Sequence, residues 1–386
     1  MRKLLFFLIL IFLVLSLFSQ NDGIKTGAER TELYFPLLGG KNIVLVVNQT
    51  SVIGERHLVD TLLTAGFQID KIFAPEHGFR GDADAGAVVK NAKDKKTGLP
   101  IVSIYGKNKK PTPEQLKGID LVVFDIQDVG VRFYTYISTM HYVMEACAEN
   151  NVEMMILDRP NPHGATVNGP VLELAYQSFV GMHPIPVLHG LTVGELAQMI
   201  NGEKWLEGGL FCRLHVIPCS GWDHSMPWQI HIPPSPNLPN MQAILLYPSL
   251  CFFEGTEVSV GRGTEFPFQV IGYPDPKFGA FTFTPKSGYG AENPLQKDKK
   301  CCGIDLRDID PEPFTLRYFL TFRDKFDAPD QLITRASFFN LLAGNAILAQ
   351  QIQQGLSEKE ITISWENDLK NYKLLRKKYL LYKDFE

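Results

Sequence analysis

No G-x-G-x-x-G and no G-x-x-x-x-G-K follows any predicted strand of this 386-residue chain. The glycine-rich cradles that seat nucleotide phosphates at a helix N-terminus are therefore missing, and no nucleotide cofactor is expected. The six cysteines, at 147, 212, 219, 251, 301 and 302, supply no two well-spaced ligand pairs, which excludes the common zinc frameworks. Basic residues are not in excess: 38 Lys and Arg stand against 42 Asp and Glu, leaving no electrostatic footprint for nucleic acid or anionic lipid. Lysine-rich stretches at 93–96, 107–110 and 297–300 lie among turn formers and read as solvated loops. No repeat period is visible, and 32 Gly and 25 Pro fall short of low complexity.

The amino-terminal segment stands apart. Met1-Arg2-Lys3 is a short basic start, Leu4 to Phe18 is apolar with one serine, and Ser19-Gln20-Asn21-Asp22 is a polar exit. This is the pattern of a secretory signal, and the run is shorter than the ~20 residues that span a bilayer. Residues 1–20 are read as a signal peptide and the mature protein as exported, periplasmic or extracellular. Membrane contact is expected only through this segment if it stays uncleaved. An exported chain permits disulfides. Cys147 and Cys251 sit in apolar patterns typical of buried free thiols, while Cys212 and Cys219, flanking a short strand-like segment, are the candidate pair.

Beyond the signal, buried-strand patterns alternate with helical ones. Lys41–Asn48, Ile69–Ala74, Leu99–Tyr105, Ile119–Ile126 and Val152–Leu157 are short, apolar and rich in β-branched residues, as strands covered on both faces are. Arg56–Ala65, Ile137–Ala148 and Thr192–Gly202 carry helical spacing. The alternation predicts an α/β fold with a Rossmann-like parallel sheet. Residues 232–240 (IPPSPNLPN) exclude regular structure, because proline fixes φ and removes a backbone donor. They read as a rigid crossing from a first domain, 21–235, to a second, smaller α+β domain, 236–386. In the latter, helices are expected over 314–325, 334–353 and 364–378.

The unusual polar residues gather after the strands. Asn48-Gln49-Thr50, Pro75-Glu76-His77-Gly78, Tyr105-Gly106, Asp125-Ile126-Gln127-Asp128 and Asp158-Arg159 each follow one, whereas the opposite-end loops are plain. Ligands of open parallel sheets bind at the carboxyl ends of the strands, so this asymmetry marks a site. Glu76 is the leading carboxyl, since a carboxyl held among apolar neighbours favours the protonated form a general acid needs. Its alternative role is an ion pair with Arg80 that shapes the loop. His77 is read as a substrate contact. Asp125 and Asp128 form a second acidic pair, suited to glycoside hydrolysis or to a divalent metal. With Gln127 and Arg132 beside them, polyol binding is preferred and no metal is assigned. Tyr134 and Tyr136 offer flat apolar faces with polar tips, for a sugar or for closing the core. In the second half, Glu254 precedes Gly261-Arg262-Gly263, where glycines could admit a ligand or an anion close to the backbone.

Taken in order, these motifs resemble the exo-β-N-acetylmuramidase (NamZ-type) family. The matching stretches are Pro75–Gly81, Asp125–Gly130, Arg132–Tyr136, Asp158–Pro162, His189–Thr192, Pro233–Asn237, Glu254–Thr256 and Gly261–Thr264. The turn His163-Gly164-Ala165 departs from the family pattern. The resemblance spans the mature chain. It implies hydrolysis of the β-1,4 bond that releases N-acetylmuramic acid from the non-reducing end of peptidoglycan fragments, a cleft between two domains, no cofactor, and Glu76 as the catalytic residue. Asp125 or Asp128 would serve as base or orient the acetamido group. Asn48, Asp158, Arg159, His189, Glu254 and Arg262 join the substrate-binding candidates. The lactyl carboxylate of muramic acid calls for a bidentate cation, with Arg80, Arg132, Arg159 and Arg262 all eligible. Two other readings stay open: a metal-dependent hydrolase using His77, Asp125, Asp128 and His189, and a non-catalytic glycan-binding protein.

Overall fold

The computed structural model describes residues 23–76, 78–80 and 92–386. The signal segment 1–20 and His77 lie outside them. Seven strands form the main sheet: β1 (Ile43–Val47), β2 (Ile69–Ala74), β3 (Ala92–Lys93), β4 (Pro100–Ser103), β5 (Leu121–Asp125), β6 (Glu153–Leu157) and β7 (Leu214–Ile217). Their spatial order is β3-β4-β2-β1-β5-β6-β7. Neighbours are parallel except the short edge strand β3, which pairs antiparallel with β4. All five expected strands are present, trimmed by one or two residues at some ends. The α/β expectation holds.

Both faces of the sheet are buried, which is why its strands read as unbroken apolar runs. Ile43, Leu45, Val47, Leu121 and Val123 pack on one side against Leu58, Leu62 and Tyr34. Val44, Val46, Val122 and Phe124 pack on the other against Met140, Val143 and Met144. That second core continues without a break into Leu250, Phe252, Phe319 and Leu342, so the carboxyl-terminal part shares a core with the sheet. It adds a small antiparallel sheet of β8 (Val270–Tyr273), β9 (Phe281–Phe283) and β10 (Cys301–Asp305), with β10 in the middle. Among the described residues no helix is long and apolar enough to cross a membrane.

Several local expectations are met, and each has its cause. The helix Val193–Gly202 starts with a reciprocal capping box between Thr192 and Glu195. Residues 232–240 hold neither helix nor strand. Instead, Gln49 Nε2 donates to the carbonyls of Pro233 and Pro234 at 3.0 and 3.2 Å, and the Tyr136 hydroxyl donates to Pro234 at 2.9 Å. Loops at the carboxyl ends of the strands thus hold the proline-rich crossing in place.

Three expectations are corrected. The helix expected from Arg56 begins at Leu58, because Arg56–His57 pairs antiparallel with Val52–Ile53 and His57 becomes the cap, its Nδ1 accepting from the Val59 amide. The helix expected over 334–353 is two, Ala336–Ala343 and Ile347–Gln353. Gly344 separates them in the left-handed region at φ 79°, where a Cβ would meet Leu172 Cα at 2.8 Å. Finally, Cys212 and Cys219 are free, buried thiols like the other four. They flank β7, and an extended strand separates its flanks by ~20 Å, far beyond the ~7 Å that a disulfide bridges.

Candidate active site

The chain runs outward from β1 through β2 to β4, then returns to the far side of β1 with β5 and continues through β6 and β7. The strand order therefore reverses between β1 and β5, and a crevice at the carboxyl ends of those strands follows from the topology. A pocket of about 490 Å³ opens there. The sheet's loops contribute Glu76, Tyr105, Tyr134, Thr135 and Tyr136, the proline-rich crossing Ser235 and Asn237, and the carboxyl-terminal part Glu254, Arg262, Arg335 and Phe338.

Glu76 stands two residues past the end of β2, in a turn closed by the Gly78 amide donating to the Pro75 carbonyl at 3.1 Å. Gly78 has φ 80°, a conformation glycine adopts without strain. Each carboxylate oxygen of Glu76 accepts one hydroxyl: Tyr105 donates to Oε1 at 2.8 Å and Thr135 to Oε2 at 2.9 Å. Thr135 is the N-cap of the helix Tyr136–Glu149, yet its hydroxyl makes no bond to that helix. Burial and the adjacent Glu76 charge push the Tyr105 phenol well above its usual range, so it stays a donor. Two fixed hydroxyls hold the carboxyl in one orientation, as a proton-transfer group requires.

Glu254 and Arg262 form an ion pair at 2.5 Å within the wall. The glycines on either side of Arg262 serve their own chain. A Cβ at Gly261 would meet the Phe266 carbonyl at 2.7 Å, and one at Gly263 the Lys286 carbonyl at 2.4 Å. They are therefore no sign of a ligand. Arg335 is held by its Nη2, which donates to the Thr256 carbonyl at 2.8 Å, and by its amide, which donates to the Gly255 carbonyl at 3.0 Å. Tyr134 and Tyr136 meet edge to face at 5.0 Å. The Tyr134 hydroxyl has no partner among the described residues.

Other candidates lie behind the wall. Asp125 is fully buried, and Arg159 clamps it with Nε at 2.6 Å and Nη2 at 3.0 Å. The strand's alternation explains this: Asp125 shares parity with Leu121 and Val123, whose side chains face away from the core that holds Phe133 and Tyr134. Asp128 accepts from the Gly130 amide at 2.7 Å, its second oxygen has no partner among the described residues, and burial raises its pKa to about 7. Gln127 donates to the carbonyls of Asp128 and Pro160 and accepts from Trp228. Asn48 caps its own turn through Thr50. Asp158 anchors the start of the helix Val193–Gly202 through Thr192 and Gly194 and also binds Tyr382. His189 is buried and pulled down to about 3, hence neutral, with Nδ1 accepting from the Leu191 amide.

Two more arginines are absorbed by structure. Arg80 grips Asp94 at 3.1 and 3.0 Å, so the alternative partner considered for Glu76 is engaged elsewhere. Arg132 donates to four carbonyls, of Pro170, Ile185, Leu342 and Ala343, between 2.6 and 2.8 Å. The last two are terminal carbonyls of the helix Ala336–Ala343, which a cation stabilises. Sequence reasoning gave no role to Tyr105, Thr135, Asn237 or Arg335. Tyr105 carried the same signal as Glu76, a position just past a strand, whereas Thr135 stands at the far end of the loop after β5, as the N-cap of the next helix. Arg335 had none, since it precedes an ordinary apolar helix.

Family models described as "Exo-beta-N-acetylmuramidase NamZ", N-terminal and C-terminal, match residues 43–242 and 245–382. The chain is 39% identical over 395 residues to the peptidoglycan beta-N-acetylmuramidase NamZ of Bacillus subtilis (strain 168), covering 94% of this chain and 92% of that protein. Two crystal structures of DUF1343 family proteins from Bacteroides fragilis NCTC 9343 superpose with TM-scores of 0.87 and 0.81, at 45% and 34% identity. They cover 94% and 93% of this chain and 99% of each of theirs.

Proposed function

The chain belongs to the exo-β-N-acetylmuramidase NamZ family, and from that premise we propose that it is an exo-acting glycosidase with Glu76 as its general acid. It releases N-acetylmuramic acid from the non-reducing end of peptidoglycan fragments by cutting the β-1,4 bond. The observation that carries the assignment to Glu76 is its carboxyl, held by Tyr105 and Thr135 in the pocket at the topological switch point.

In this reading Glu76 gives its proton to the glycosidic oxygen as the bond to the anomeric carbon breaks, and water supplies the new hydroxyl. A second carboxylate usually serves such a reaction. Asp125 and Asp128 do not line the pocket, and among the described residues Glu254 is the other carboxylate that does. We assign it the activation of water, with Arg262 holding it in place. Tyr134 and Tyr136 provide aromatic surface for the sugar ring.

The deciding experiment incubates the purified protein with defined muramyl-glucosaminyl fragments and identifies the released sugar, with Glu76→Gln alongside. Free N-acetylmuramic acid from the wild type alone supports the reading. Release of N-acetylglucosamine or of internal fragments, or no release at all, would overturn it. Export to the periplasm or the exterior, through cleavage of residues 1–20, belongs to the same proposal. It predicts that protein recovered from the native envelope or medium starts near Asn21.

A further inference from the structure

Among the described residues, four charged side chains line the pocket: Glu76, Glu254, Arg262 and Arg335. Glu254 and Arg262 neutralise each other. Neither Glu76 nor Arg335 has an ionic partner among the described residues, so the wall presents one uncompensated carboxyl and one uncompensated guanidinium. On the proposed function, Glu76 meets the glycosidic oxygen. The guanidinium offers donors to an anion, and the substrate has one. Muramic acid differs from glucosamine only in the lactyl ether on O3, which ends in a carboxylate ionised at neutral pH.

The four arginines eligible from sequence are each engaged: Arg80 by Asp94, Arg132 by four carbonyls, Arg159 by Asp125 and Arg262 by Glu254. We propose that Arg335, a fifth, receives the lactyl carboxylate and so discriminates muramic-type from glucosamine-type sugars. The inference rests on the muramidase reading above. One hydrogen of Nη2 is pinned to the Thr256 carbonyl, while Nε and Nη1 have no partner among the described residues, and the second Nη2 hydrogen with whichever of them lies beside it forms a two-point fork for a carboxylate. Arg335 is also the N-cap of the eight-residue helix Ala336–Ala343, whose positive end adds to the field at that rim. Because Arg335 is exposed, water screens the pair, so the preference it confers is moderate and salt-sensitive.

The test measures competitive inhibition of chromogenic muramic acid glycoside hydrolysis, at low salt, by N-acetylmuramic acid and by its neutral lactyl amide. In the wild type the acid should bind about tenfold tighter than the amide. Arg335→Gln should bring that ratio to about one and raise KM with kcat changed less than about twofold, because uniform binding is lost and not transition-state stabilisation. Arg335→Lys should restore part of the ratio. Its exposed position lets both variants keep the wild-type Tm. A ratio that survives Arg335→Gln, or that is lost in Arg262→Gln while Arg335→Gln retains it, overturns the inference while leaving the muramidase reading intact. A wild type that releases no muramic acid removes both.

Discussion

The hydroxyl of Thr135 lies 2.9 Å from Oε2 of Glu76 and makes no bond to the helix whose first residue it precedes. An N-cap threonine usually satisfies its own helix, at a value of about 1 kcal/mol. Here that contribution is forgone and the hydroxyl orients a carboxyl that belongs to another strand's loop. Replacing Thr135 by Ala, or Tyr105 by Phe, should therefore lower kcat about tenfold each while KM moves little. Steady-state kinetics on a chromogenic muramic acid glycoside separates the two parameters. A change confined to KM would place these hydroxyls on the substrate.

Removing the carboxyl itself is the sharper change. Glu76→Gln keeps the shape and one accepting oxygen, with its amide nitrogen donating to the other hydroxyl, but cannot transfer a proton. Turnover should fall at least about a hundredfold, the usual scale of general acid catalysis. Tm should stay within about two degrees of wild type. Unchanged turnover would remove Glu76 from the reaction.

Arg132 provides the contrast of a buried arginine with a structural duty. Its guanidinium joins the loop after β5 to the carbonyl end of the helix Ala336–Ala343. Arg132→Met would take the guanidinium donor from four carbonyls, of which Ile185 keeps the Leu172 amide at 3.2 Å, and should cost about 3 kcal/mol or more in a denaturant melt. The KM of the fraction that remains folded should hold near the wild-type value, whereas a substrate-binding arginine would show the opposite pattern.

Asp128 predicts a pH dependence of stability. Its pKa is about 7 when folded, against an ordinary 3.8, because burial disfavours the charge. The folded state therefore binds a proton more tightly than the unfolded state. The contribution is complete below about pH 4 and is lost as pH rises through about 7. Asp128→Asn, which needs no proton, should flatten that slope and raise stability at pH 8 by on the order of 1 kcal/mol. Thermal melts of the two proteins between pH 4 and 8 measure the difference. Identical slopes would mean that Asp128 is not the group responsible.

Exhaustive chelation should leave turnover unchanged. The metal-dependent reading used His77, Asp125, Asp128 and His189. Of the described members, Asp125 is clamped on both oxygens by Arg159, and His189 takes an amide hydrogen on Nδ1. Activity lost to a chelator and restored by one divalent ion would revive that reading.

How much was legible in advance depended on how local each cause was. A strand buried on both faces is a short apolar run, so β1, β2, β5 and β6 could be read from a few neighbours each. The capping box at Thr192 and the proline barrier at 232–240 are likewise effects of adjacent residues. The carboxyl-end rule then placed the site near Glu76 without coordinates. Local pattern also overreached: it joined 334–353 into one helix across Gly344, whose left-handed turn packs against the distant Leu172 with no room for a Cβ.

The sequence by itself determined the order of strands and helices, the end of the sheet where polar chemistry collects, and Glu76 as its leading carboxyl. Only the tertiary structure decided which polar residues reach the pocket. Asp125 turns away because strand alternation puts it on the opposite face, where Arg159 meets it. Arg132 is captured by carbonyls more than two hundred residues along the chain. Arg335 joins the wall because its segment pairs with Thr256 and Gly255. Those choices depend on distance between remote segments in space, and a local pattern of apolar and polar residues carries no record of that distance.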